Sequence, residues 1–250
     1  MTPSWLLFLF LSIVTGNPLV ALLLALAVLW TADRVTLGLL PEPVRAFLRW
    51  RRVGQLRAAL GVNPNDRRAR LELADLLLRR RPAEAAELVL RNVEAGDEDV
   101  HTSFLLGAAL ARCGAHERAE RAFAFARDLE PGFRLGEIDL ELGRMRLARG
   151  DPAGAREALE RLVEARPGTV EGRWLLVRAL AALGDVAGAE RVRADAWREF
   201  VALPRFRRRP ERRFAWRLRP WRGAAAMAGA VLLVTLGAVL VVGAVRAAAR

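Results

Sequence analysis

Two histidines (His101, His116), one cysteine (Cys113) and three serines (Ser4, Ser12, Ser103) are the side chains on which nucleophilic, acid–base or metal chemistry would have to rest. The histidines lie 15 residues apart, outside the HExxH spacing that sets two imidazoles on one helix face for zinc. No P-loop, GxGxxG turn or GxSxG elbow occurs. A hydroxyl–imidazole–carboxylate site would need Ser103 with His101 or His116 on one helix, an arrangement expected by chance. The lone Cys113 excludes an internal disulfide and a cysteine-based metal framework, and it reads as a small buried apolar residue. The sequence implies no catalytic residue, no cofactor and no metal, and predicts a protein that is not an enzyme.

The elements that carry these residues are helices. The middle of the chain is rich in Ala, Leu, Arg and Glu, all strong helix formers, and Tyr is absent. All forty basic residues are Arg, a bias of a GC-rich bacterial genome. The net charge of +12 is unevenly placed: residues 53–200 sum to −1, whereas 34–52 carry +4 and 201–222 carry +8. A nucleic-acid binder would hold its excess on the folded surface, so the pattern argues against one.

Both basic stretches adjoin apolar segments. Residues 224–245 contain no charge across 22 residues, or roughly 33 Å as a helix, the thickness of a hydrocarbon core. Residues 5–30 are apolar except at Gly16-Asn17-Pro18. They are expected to form one span kinked at that proline, with a re-entrant hairpin as the alternative. No Arg precedes Arg34, so the segment lacks the basic start of a signal peptide and is read as retained. Trp5 and Trp30 bracket the first segment, and Trp216 and Trp221 precede the second, as interfacial aromatic residues do. Arginine flanks stay in the cytoplasm. The middle is therefore expected to face the cytoplasm from the inner (cytoplasmic) membrane of a bacterium. Ala225, Gly229 and Gly237 are small residues near one face of the second span, able to pack on the first span or on a second copy in a homo-oligomer.

Residues 46–200 repeat. Gly114, Gly150 and Gly184 are spaced 36 and 34 apart, Ala86, Ala119, Ala155 and Ala189 keep step, and Pro64, Pro131 and Pro167 close units. Small residues (Gly107, Gly143, Ala119, Ala155) let two helices approach, and larger ones (Leu110, Phe123, Leu159, Leu180) are expected to fill the space between hairpins. With a period near 34, the series Leu106-Gly107, Ala119, Phe123, Ala126 and Pro131 resembles the tetratricopeptide-repeat (TPR) superfamily. Four units start near 67, 100, 136 and 170, after a partial unit ending at Gly61-Val62-Asn63-Pro64. The expected fold is all-α: a TPR helical-hairpin solenoid over 53–200, flanked by transmembrane helices at 5–30 and 223–245. Residues 31–52 form a basic juxtamembrane segment and 201–222 an irregular basic linker.

The resemblance implies protein partners lying in a concave groove made by the first helix of each hairpin. Its positions here are Arg68, Leu71, Asp75 and Arg79; His101, Phe104, Ala108 and Arg112; Glu137, Leu140 and Arg144; and Glu171, Trp174 and Arg178. Recurrent Arg with Phe104 and Trp174 fits an extended acidic and apolar segment; pairing of these Arg with neighbouring carboxylates is the competing expectation. Membrane lipids are the second partner, met by Arg205, Arg207, Arg208, Arg209, Arg212, Arg213, Trp216, Arg217, Arg219, Trp221 and Arg222. The function this implies is an adaptor or scaffold; the alternative is an accessory subunit or assembly factor of a membrane transport or envelope-biogenesis complex.

Overall fold

The computed structural model describes residues 16–35 and 43–221, with Ser12, Ala224, Ala225, Ala228, Gly229 and Leu232. Most of the second apolar segment, the start of the first, Trp5 and Gly237 lie outside the described residues. The described residues are helices and turns, with no strand among them. The chain divides into two compact units, Glu42–Leu203 and the residues on either side of it.

The larger unit opens with α2 (Pro43–Val62), followed by four hairpins: α3 (Arg67–Leu77) with α4 (Pro82–Glu94), α5 (Val100–Arg112) with α6 (His116–Leu129), α7 (Glu137–Arg149) with α8 (Pro152–Ala165), and α9 (Val170–Ala182) with α10 (Val186–Ala202). The helices of each hairpin pack on each other, and α4 and α8 pack on the first helix of the next hairpin. Local sequence fixes most starts. Asp66, Thr169, Asp151 and Asp185 each accept a hydrogen bond from the backbone N–H three residues on, at 2.8–3.1 Å, a donor the helix itself leaves unpaired. The turn inside three hairpins uses Gly114, Gly150 and Gly184 at φ 80–83°, a left-handed conformation that costs glycine little.

The second and third hairpins close on glycine. A Cβ on Gly107 would stand 2.8 Å from the Phe123 ring, and one on Gly143 would stand 2.5 Å from Leu159 Cγ. Phe123 and Leu159, expected between hairpins, therefore lie within one. Contact between hairpins is made at Gly172, where a Cβ would meet Leu162 Cδ2 at 2.6 Å. Phe123, Leu159 and Leu162 are fully buried, each contributing roughly 1.5–3 kcal/mol.

In the other unit, α1 (Pro18–Val35) and α11 (Arg205–Leu218) are described. Asn17 Oδ1 accepts from the N–H of Leu19 at 2.9 Å, so the side chain caps the start of α1, and Pro18 needs no donor in the first turn; the residues on the other side of the expected kink, before Gly16, lie almost entirely outside the described residues. Along α1, Leu19, Leu22, Leu23, Leu24 and Leu26 are exposed, while Ala21 and Ala25 are buried. Among the described residues, no helix is long and apolar enough to cross a membrane. The stretch 201–222 is not irregular. Its arginines favour helix, and α11 continues through Pro210.

Gly143→Ala should lower thermal stability by about 1–3 kcal/mol through overpacking on Leu159, although alanine favours helix. Gly54→Ala, an exposed site with nothing within 4 Å of the new Cβ, should raise it by about 0.5–1 kcal/mol. Thermal unfolding of the two variants checks the opposite signs.

Candidate protein-binding groove

The groove positions separate into core, ion-pair and surface residues. Phe104 and Leu140 are buried, at 5% and 4% exposure, so they are packing residues and present no binding surface. Ala108 is fully buried. Their place follows from the helix period: in α5 and α7 the apolar stripe is wide enough to seat on helices at both sides.

Arg112 and Arg144 are held inside the protein's own ion-pair chain. Arg112 on α5 pairs with Glu141 on α7 at 3.2 Å. Arg144, three residues on, donates to the same carboxylate and, at 2.6 Å, to Glu171 on α9. Glu141 is 7% exposed; a carboxylate that dry is retained as an ion only with cations at hydrogen-bond range. Burial disfavours the charged Arg144, but Glu141 and Glu171 outweigh it and raise the guanidinium further above its ordinary range. The chain Arg112–Glu141–Arg144–Glu171 thus crosses three hairpins, as the competing expectation of pairing with neighbouring acids had it. Glu141 was not legible as a site residue. A signal existed: 36 residues earlier and 34 later the repeat carries Leu105 and Leu175, both buried, so an acid there breaks the apolar pattern.

A second cluster lies where α6 passes to α7. Arg134 and Leu135 take φ 46° and 53° ahead of Gly136 at 83°, a left-handed run that side-chain-bearing residues adopt only when their surroundings hold them there. The holding contacts are visible. The Arg134 guanidinium lies 5.0 Å from the Phe133 ring centroid and 6.0 Å from that of Phe104, and its Nη2 donates to His101 Nδ1 at 3.2 Å. Arg has no acceptor, so this contact calls for the neutral imidazole with its proton on Nε2. Burial lowers the His101 pKa, and the Arg134 charge lowers it further against Asp75 and Asp99. Arg134 was also missed, because its role comes from a loop conformation that repeat spacing does not encode.

The remaining positions are at the surface or partly so. Arg68, Asp75 and Arg79 are exposed, and Leu71 is half-buried. Glu137 pairs with Arg166 at 3.5 Å. Arg178 is exposed and stands 5.2 Å over the half-buried Trp174 ring, within cation–π range. Cys113 is exposed at the end of α5; it falls past the last buried position of that helix, and the expected burial does not hold. On α11, Arg207, Arg213 and Arg217 are exposed and Arg208, Arg212 and Trp216 are half-buried; beyond it Arg219 is half-buried and Trp221 exposed. The side chains of Arg205 and Arg209, and all of Arg222, lie outside the described residues. No group of three or more His, Cys, Asp or Glu is arranged to hold a metal among the described residues.

Glu141→Ala leaves two guanidinium groups facing each other without their shared acid. It should destabilise the protein by roughly 1–3 kcal/mol, below the ~3–5 kcal/mol of a fully buried pair because both arginines keep some solvent. Urea unfolding measures it; an unchanged midpoint would show that the ion-pair chain is decorative.

A tetratricopeptide-repeat family model matches residues 146–207. No curated protein matches the chain. Among solved structures, MamA is similar over 59% of this chain and 85% of its own, at 20% identity and a TM-score of 0.52. A MamA structure labelled AMB-1 is similar over 64% and 94%, at 14% identity and a TM-score of 0.54. PilW, described as a widely conserved type IV pilus biogenesis factor, is similar over 58% and 67%, at 19% identity and a TM-score of 0.53. At such identities the likeness is one of fold. With the four helical hairpins, these matches make the chain one that resembles the tetratricopeptide-repeat superfamily, an all-helical solenoid.

Proposed function

We propose that the protein is a membrane-anchored adaptor of a bacterial inner membrane, with its repeats in the cytoplasm and a protein partner held along the first helices of its hairpins. The observation that carries the reading is the apolar surface of α1, where Leu19 is 70% and Leu23 67% exposed. Water does not tolerate so continuous a leucine surface, whereas lipid does. Alone, the 18 residues of α1 reach about 27 Å, short of a hydrocarbon core of about 30 Å. The anchor therefore draws on the apolar residues before Gly16 and on 224–245. The arginines of 34–52 and 201–222 support the cytoplasmic placement, and those of 205–222 support contact with anionic headgroups.

For the partner, the ion-pair chain removes Arg112 and Arg144 from the available cations. The recognition surface proposed is Arg68, Asp75 and Arg79 at one end and Trp174 with Arg178 at the other, suited to an extended segment bearing acidic and apolar side chains. An accessory subunit or assembly factor of a membrane transport or envelope-biogenesis complex would use the same anchors, but its partner would contact the spans.

A reporter active only outside the cytoplasm, fused near residue 120, should be silent, and activity there would reverse the orientation. Full-length protein purified from native membranes in mild detergent should bring down a partner whose recovery falls at least tenfold in a Trp174→Ala/Arg178→Glu variant with an unchanged melting temperature. Equal recovery would favour contact through the spans.

A further inference from the structure

The first turns of α2 lie outside the repeat packing. This helix joins the solenoid through Val53, Leu56 and Leu60, with Arg52 forked onto Glu72 at 2.6 Å through both Nε and Nη2. That pairing holds the Glu72 carboxyl below its ordinary range. On α2, no described residue before Val53 is buried: Val44 is 67%, Phe47 57%, Leu48 52% and Trp50 72% exposed. Val44, Phe47 and Leu48 follow the i, i+3, i+4 spacing of one helix face. Trp50 adjoins them, its ring 5.9 Å from that of Phe47. Arg49 and Arg51 are exposed beside them, and the helix has five arginines and no acidic residue in its twenty positions.

We propose that residues 43–52 form an interfacial helix that lies in the headgroup region of an anionic bilayer, its Phe47 and Trp50 rings at the acyl boundary and its Arg49 and Arg51 on lipid phosphates. The helix carries three features suited to such a placement: an apolar face at Val44, Phe47 and Leu48 with Trp50 beside it, large aromatic residues, and the exposed Arg49 and Arg51 with no acid on the helix itself. Arginine stems run along the apolar boundary while their guanidinium groups stay at the phosphates. The occupant is a membrane because aromatic rings beside exposed arginines, on a helix without an acid, are complementary to anionic headgroups, and because the helix follows the proposed anchor in sequence after only seven residues. The inference therefore rests on the anchoring reading and goes beyond it. A rigid helix laid in the interface and fused to the first hairpin would fix the tilt of the solenoid at the membrane, which a flexible tether would leave free.

The test uses the full chain in a Cys113→Ser background with Ala46→Cys, an exposed site on α2, carrying an environment-sensitive fluorophore. The protein is reconstituted into nanodiscs containing a lipid-borne spin quencher, with either zwitterionic lipid alone or an added phosphatidylglycerol fraction. The expected result is several-fold stronger quenching at position 46 than at a label on Val186→Cys, which is 70% exposed on α10. Phosphatidylglycerol should strengthen it, and adding Phe47→Ser and Trp50→Ser should weaken it. A chain that enters the disc with position 46 quenched no more than position 186 overturns this inference alone, as does a label shielded by cross-linking to a second copy or another protein. A chain that stays in the aqueous fraction overturns the anchoring reading as well.

Discussion

Phe123 lies on Gly107 and Leu159 on Gly143, so that two helices of one hairpin touch backbone to ring or branch with no Cβ between them. This close approach is the constraint from which the remaining architecture follows. It brings the helices of the second and third hairpins near enough to bury a shared apolar face, yet leaves the outer face of each uncovered. That face is satisfied only by the next hairpin, as where Leu162 lies over Gly172. The stack therefore grows by neighbour contacts, and its stability is a sum of local closures and local interfaces.

On that frame, charge is arranged along the stack. Glu141 stands where the second and fourth hairpins have leucine, and it is paired with Arg112 from the hairpin before and Arg144 from its own helix. A second acid, Asp139, takes Arg127 of α6 and Arg161 of α8, each at 3.1 Å. The two carboxylates flank the junction between the second and third hairpins. There the connection is longest and Arg134 and Leu135 are held left-handed. Ion pairs and the Arg134–His101–Phe104 cluster thus stiffen the junction that apolar packing serves least. Residues that look like a ligand site in the sequence are used for this internal purpose, which narrows the surface left for a partner to the two ends.

The repeat was legible because its signals are local: turn glycines, caps three residues from the N–H they satisfy, and alanines at fixed spacing. Those signals also place the first helices of the hairpins. They do not say which arginine meets which carboxylate, since Arg112 and Glu141 are 29 residues apart and their pairing depends on how two helices cross. Phe104 and Leu140 were misplaced for a related reason. A first helix of an inner hairpin is covered on more than one side, so an amphipathic reading underestimates its buried arc. The helix over Arg205–Leu218 escaped notice because three prolines outweighed an arginine run of high helix propensity; Pro204 caps the helix and Pro210 costs it one hydrogen bond.

Everything proposed for this chain presupposes that the hairpins stand by covering one another. Hydrogen exchange of the full-length protein in a bilayer mimic, resolved by segment, tests that most directly. The slowest exchange is expected in α5, α7 and α9, whose buried faces are covered by flanking helices, with protection declining through α10 and the free first turns of α2. Fast exchange across α5 and α7, or protection no greater there than in the first turns of α2, would contradict it.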